Sequence, residues 1–177
     1  MNNTPKILIA VPCMDQVAAQ FAQALAMLEK QGKCLVSFVI GSLIYNSRND
    51  LAKQALKLEC DFILWLDSDM VFPPETLTYL LKEMEETGAD FISGLYFRRC
   101  APYSPVAFET LEINGEKANW SDYKGELSGL HEVAGVGFGC VLMKTEMLLE
   151  MAAEYGDFFG PIAKVGEDLA FCWRARQ

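Results

Sequence analysis

The sequence predicts an α/β fold with three layers, helix on sheet on helix, around a mostly parallel central sheet, with a small antiparallel insertion. Three observations carry that expectation. Apolar runs alternate with amphipathic helical stretches three times within the first 99 residues, and strand-helix units joined by short loops need right-handed crossovers, hence a parallel sheet. One of the runs, Phe62-Ile63-Leu64-Trp65-Leu66, is apolar on both faces, as a strand covered by helices on either side must be. Between residues 100 and 132 the pattern changes: Pro102, Pro105, Trp120 and an Asn114-Gly115 hairpin signal replace helical periodicity.

Taken in order, Lys6 to Val11 reads as a buried first strand, which Pro12-Cys13-Met14-Asp15 breaks into a loop. Val17, Phe21, Leu25 and Leu28 then share one face of a helix that stops at Gly32. Cys34 to Ile40 forms the second strand, closed by Gly41-Ser42, and Asn46-Ser47 offer caps for a helix running through Leu51, Ala55 and Leu58. That helix carries Arg48 in its first turn, where the dipole disfavours a cation. Either Arg48 meets a ligand or a carboxylate there, or it is a surface arginine.

After the central apolar strand, Pro73-Pro74-Glu75 opens a helix with Leu77, Leu80, Leu81 and Met84 inward, ending near Gly88. Asp90 to Phe97 is the fourth strand and leads into Arg98-Arg99. Beyond the insertion, Val133 to Met143 returns to the core as a strand with glycines at 135, 137 and 139, leaving one face bare for a ligand or for another backbone. The spacing is not that of a dinucleotide fingerprint. Thr145 to Tyr155 is a helix, and the last helix opens on Gly166-Glu167-Asp168, where acids suit the positive end of the dipole. His131, the single histidine, receives no role.

Composition narrows the partners. The chain has 177 residues, 51% of them hydrophobic, enough for one domain with a substantial core. Lys and Arg number 15 against 24 Asp and Glu, a net charge of −9 that repels nucleic acid while leaving room for a local basic patch that holds a diphosphate. Six cysteines at 13, 34, 60, 100, 140 and 172 form no Cys-x-x-Cys pair and read as buried thiols of a reducing compartment. The apolar run Ile7–Val11 is too short for a signal peptide, and nothing approaches a membrane span, so a cytoplasmic protein is expected.

The chemistry concentrates at Asp67-Ser68-Asp69. In an extended segment the side chains at i and i+2 point the same way, so the two carboxylates converge just past the strand's carboxyl end, where open α/β sheets bind ligands. Two close carboxylates repel unless a cation or proton lies between them, and with no His or Cys beside them Mn²⁺ or Mg²⁺ suits better than zinc. The same acids also suit a solvated loop or a cap leading into the next helix.

Asp67-Ser68-Asp69 after an apolar strand, the glycine-rich Val136-Gly137-Phe138-Gly139 and Gly166-Glu167-Asp168 opening a helix that bears Arg174 stand in an order that resembles the GT-A glycosyltransferases of the family 2 type, from Lys6 to Arg176. The resemblance implies a single GT-A-like domain over 1–177, with nucleotide-binding βα units in 1–99, the antiparallel flap in 100–132 and acceptor-side strand and helices in 133–177. It implies metal-dependent, inverting and non-processive transfer of a sugar from a nucleotide-diphosphate sugar to an acceptor hydroxyl. Asp67 and Asp69 match the Asp-x-Asp motif that holds ribose and a Mn²⁺ or Mg²⁺ on the diphosphate. Asp168 matches the base that takes the acceptor's proton. Pro12 and Arg48 fall where such enzymes contact the nucleotide; Arg98 and Arg99, by their charge, either meet phosphate oxygens of the nucleotide sugar or face solvent.

Two features depart from the family pattern. Gly41-Ser42 stand where an acid often reads the base, and no Gln-x-x-Arg-Trp motif of processive synthases follows. By its short C-terminus the chain reads as a minimal member or as a truncated or degenerate one. Two other readings compete. Asp67-Ser68-Asp69-Met70-Val71 also resembles the haloacid-dehalogenase phosphatase signature, with Asp67 as nucleophile. The third is a non-catalytic module that binds a sugar nucleotide.

Overall fold

The computed structural model describes residues 4–41 and 43–177. Ser42, half of the Gly41-Ser42 pair expected to close the second strand, lies outside the described residues. The central sheet is built from β1 (Lys6–Cys13), β2 (Lys33–Ile40), β3 (Phe62–Leu66), β4 (Phe91–Ser93) and, from much later in the chain, β8 (Cys140–Lys144). Helices α1 (Ala19–Met27), α2 (Ile44–Lys57) and α3 (Thr76–Thr87) make the crossovers. The strand order is β2-β1-β3-β8-β4, with β1 parallel to β2 and to β3, and with β8 antiparallel to both β3 and β4. Four strands therefore point one way and β8 runs against them, which makes the sheet mixed but mostly parallel.

The period of two along each strand divides the core cleanly. Leu8 and Ala10 of β1, Ile63 and Trp65 of β3, and Val141 and Met143 of β8 face one layer. Ile7, Ile9, Val11, Leu64, Leu66, Cys140 and Leu142 face the other, against Phe21, Leu77, Leu80 and Met84 of α1 and α3. β2 is an edge strand, and Val36, Phe38 and Ile40 stay substantially exposed on it.

Several boundaries differ from the sequence expectation, each for a physical reason. β1 continues through Pro12 to Cys13, because its pairing with β3 ends at Ala10 opposite Trp65 and only β2 accompanies it further. A proline there interrupts no ladder shared by two neighbours. α2 starts at Ile44 behind Leu43, not at Asn46-Ser47, and no side chain caps it. β4 is three residues long, not eight: beyond Gly94 the chain leaves the sheet, and Tyr96, Phe97 and Arg98 pair instead with Ser104, Pro105 and Val106. The expected strand over 133–143 is split. β7 (Gly135–Val136) joins β5 (Ala107–Asn114) and β6 (Lys117–Asp122) in a small antiparallel sheet of order β6-β5-β7, and only β8 reaches the central one. The β5–β6 hairpin turns at Gly115-Glu116, one residue later than the Asn114-Gly115 signal: Asn114 still pairs with Lys117, and Gly115 takes the positive φ, 61°, at the first turn position.

α4 (Glu146–Tyr155) and α5 (Glu167–Ala175) complete the domain. Beneath them lies an aromatic cluster in which Phe159 is within 5.1 Å of both Trp65 and Phe138 and 4.8 Å from Phe171, ring centre to ring centre. The loop between α4 and α5 is stapled from both sides. Asn49 of α2 accepts a hydrogen bond from the Phe159 N–H at 3.0 Å, and Arg174 of α5 donates to the carbonyls of Phe158 and Gly160 at 3.0 and 2.7 Å. Cys13, Cys60, Cys140 and Cys172 are buried as free thiols, while Cys34 is half-buried and Cys100 exposed. No helix among the described residues is long and apolar enough to cross a membrane.

Phe159→Ala should lower unfolding stability by about 3–5 kcal/mol, the range for emptying a buried aromatic site. A urea titration followed by tryptophan fluorescence reads it directly, since Trp65 packs on that ring.

Candidate functional site

The carboxyl end of β3 is shaped by a turn rather than by a continuing strand. The Met70 N–H donates to the Asp67 carbonyl at 3.0 Å, and the Asp67 N–H donates to the Gly139 carbonyl at 3.1 Å, which carries the β3–β8 pairing one residue past Leu66. The extended geometry expected to converge Asp67 and Asp69 is therefore absent. Asp67 meets Arg48, whereas Asp69 meets Arg99.

Arg48 is the centre of the arrangement. It is the fifth residue of α2, one turn inside the helix rather than in its first turn, and only 3% exposed. Its Nη2 donates to Asp67 Oδ1 at 2.9 Å and its Nε to Glu167 Oε1 at 3.3 Å. The guanidinium lies 5.2 Å from the Phe138 ring centre and 5.9 Å from that of Trp65, a cation–π environment that offsets part of its desolvation. The carboxylate anticipated for Arg48 exists twice over, and it comes from opposite ends of the sequence. Nη1 is buried and has no partner among the described residues.

By holding Glu167, the first residue of α5, Arg48 fixes the helix turn that also carries Asp168. Asp168 Oδ1 accepts the Leu169 N–H at 2.7 Å. Burial pushes the Asp168 carboxyl above its usual range; the Leu169 N–H opposes this and neighbouring Glu167 adds to it. Asp67 is also pushed up by burial, against the charge and hydrogen bond of Arg48. Both groups therefore hold protons more tightly than a solvated aspartate.

Other expected residues lie as follows. Pro12 is buried at the end of β1, in register with Val39. Arg98 is turned to the small sheet, donating to Asp122 at 2.7 Å with its guanidinium 5.8 Å from the Phe108 ring centre. Its neighbour Arg99 is the one that reaches Asp69. Sequence reasoning passed over Tyr96, whose hydroxyl accepts the Gly139 N–H at 3.0 Å. The signal was the bare face of the glycine run: a Cβ at Gly137 would stand 2.3 Å from the Tyr96 hydroxyl, and one at Gly139 2.8 Å from its Cζ. The glycines make room for a tyrosine side chain, where the sequence left a ligand or a backbone as the choices.

Among the described residues no cluster of three acids, cysteines or histidines could cage a metal ion. Mg²⁺ does not require one, since it keeps several waters and binds through one or two carboxylates together with substrate phosphates. Asp69 offers an exposed, oxygen-only donor just past the sheet, so the residues fit that mode of binding.

Comparison with known proteins identifies the chemistry such a site belongs to. The model of the family "Glycosyl transferase family 2" matches residues 15–174. Among solved structures, A197 from STIV superposes with a TM-score of 0.70 at 20% identity, covering 97% of this chain and 78% of that one. S. aureus TarS 1-349, solved in complex with UDP-GlcNAc, gives 0.60 at 18% identity, covering 96% of this chain and 53% of TarS, so the chain spans about half of it. At these identities the likeness speaks for the fold, and it is the GT-A fold read from the sequence. No curated protein sequence matches. The haloacid-dehalogenase reading gives way to the family match over residues 15–174.

Removing the guanidinium leaves two partly buried carboxylates, Asp67 and Glu167, without the cation they share. Arg48→Ala should cost on the order of 3 kcal/mol in a urea titration, and Arg48→Lys should recover little, because one ammonium cannot fork to both acids.

Proposed function

The chain belongs to glycosyl transferase family 2, and we propose that its site transfers a sugar from a nucleotide-diphosphate donor to an acceptor hydroxyl, with inversion and without processivity. The observation that supports this reading is the double ion pair of Arg48, which ties the Asp67 turn, two residues from Asp69, to Glu167 at the start of α5, next to Asp168. Donor activation and acceptor activation have to share one pocket, and these residues supply both halves.

In this reading Asp168 takes the proton of the acceptor hydroxyl as the oxygen attacks the anomeric carbon. Its desolvation, with Glu167 beside it, makes it a better base than a free aspartate. Asp67 orients the nucleotide-sugar side of the cleft from its fixed place on Arg48, and Pro12 walls it at the end of β1. The unpartnered Nη1 of Arg48 is a buried donor available to a donor oxygen. Asp69, with Asp67 behind it, would hold Mn²⁺ or Mg²⁺, which when bound neutralises charge on the departing diphosphate. Arg99, which pairs with Asp69 here, would be the group to meet diphosphate oxygens were a cation held by Asp69 in its place. Arg98 is left out of this set because Asp122 and Phe108 engage its guanidinium. UDP-GlcNAc, the ligand of the TarS structure, is a reasonable first donor to try.

Two experiments test the reading. A nucleotide sugar should raise the melting temperature only with Mg²⁺ or Mn²⁺ present, and Asp69→Ala should erase the shift. Should Asp69→Ala keep it, the cation assignment fails.

Asp168→Asn should abolish transfer while leaving nucleotide-sugar binding in place; binding with no transfer in the unaltered protein would instead mark a binding module. The stability sign is opposite to that of an ordinary loss. A carboxyl whose folded pKa is raised contributes stability below its unfolded pKa and loses it as pH rises through the folded value. At neutral pH the charged Asp168 therefore costs stability, so Asp168→Asn should melt higher than the parent. The acid limb of kcat/KM in the parent should fall above the ~4 of a free aspartate.

A further inference from the structure

Tyr96 is a group on which both Asp67 and Asp168 act electrostatically, and it has no part in the scheme above. Its backbone carbonyl accepts the Val106 N–H at 3.0 Å, fixing it to the start of the small sheet. Its ring fills the slot left by Gly137 and Gly139, and its hydroxyl accepts the Gly139 N–H. The carbonyl of the same glycine accepts the Asp67 N–H. The phenol oxygen is thus held, through one residue, beside the Asp67 turn. Among the described residues its own O–H proton meets no acceptor, although the side chain is more than half buried.

We propose that Tyr96 touches the transferred sugar, donating its O–H to a ring-substituent oxygen of that sugar. The inference rests on the reading of the site as a sugar-nucleotide transferase and deepens it. Position selects the sugar over the rest of the donor. The diphosphate belongs with Asp69 and the arginines, and the acceptor with Asp168, so the reacting sugar occupies the space between Asp67 and Asp168. Both acids act electrostatically on Tyr96, which lies within their reach. Chemistry agrees. Carboxylates can only accept hydrogen bonds from sugar hydroxyls, and a sugar oxygen needs a donor as well. Tyr96 is a neutral donor at any working pH: burial, above all, pushes its phenol above the ordinary range, and Asp67 and Asp168 add to that against the Gly139 N–H and Arg48.

Tyr96→Phe keeps the ring in its glycine slot and removes only the hydroxyl. Calorimetric titration with Mg²⁺ present would compare UDP-GlcNAc with UDP, and GDP-mannose with GDP, in the parent and in Tyr96→Phe. The expected result is affinity weakened roughly 3- to 10-fold for the sugar nucleotide, the worth of one neutral hydrogen bond, with the bare nucleotide bound equally by both proteins. Equal affinity for the sugar nucleotide overturns the proposal, and so does a parallel loss for sugar nucleotide and nucleotide, which marks Tyr96 as a structural clamp. If the parent binds none of the four, the transferase reading itself falls and takes this one with it, a result unlike either of the others. Should Tyr96→Phe not fold, monodeoxy analogues of the bound sugar nucleotide are titrated into the parent. One position whose hydroxyl matters upholds the proposal, and no sensitive position overturns it.

Discussion

A guanidinium buried one turn into α2 joins the two ends of this chain. Arg48 binds Asp67, at the end of a central strand, and Glu167, at the start of the last helix. Desolvating three charges is expensive, and the attraction between them repays it only when the geometry is held by packing. Trp65 and Phe138 provide that packing, and both belong to the aromatic cluster that Phe159 and Phe171 extend beneath α5. The charged centre and the apolar core are therefore one structure. Asn49, one residue from Arg48, holds the Phe159 amide, so a single stretch of α2 fixes the site and the loop over it.

The same centre bears on why the acids are poised as they are. Asp67 and Asp168 are both pushed toward their protonated forms by burial, and Arg48 partly resists this at each. Without that cation, burial alone would favour neutral acids, which could neither bind a cation nor accept a proton. Functional sites often give up stability for such poise.

The layered fold was legible because β1 and β3 are apolar on both faces and the helices between them keep a strict period. Local signals misled where tertiary contacts outrank them. Asn46-Ser47 look like caps, but Ile44 and Tyr45 already lie in the helix, since the ion pairs need Arg48 a full turn from the end. The Asp-Ser-Asp turn could not be read from its own residues, because it depends on a carbonyl of Gly139 some seventy positions away. Motif order drew attention to Asp67 and Asp168; Arg48 drew it through an expected first-turn position, whereas it stands one turn inside α2. Tyr96 was not singled out, for its meaning comes from what it faces. The alternate glycines did announce a close neighbour, without saying whose.

Gly139 gives its N–H to the tyrosine and its carbonyl to the aspartate turn, so two torsion angles of one residue without a side chain set the spacing between both walls of the cleft. Neither wall can shift alone without breaking a bond at that hinge point. The tyrosine and the aspartate turn are thus held in register by one backbone unit, at the type of residue that constrains its own torsions least.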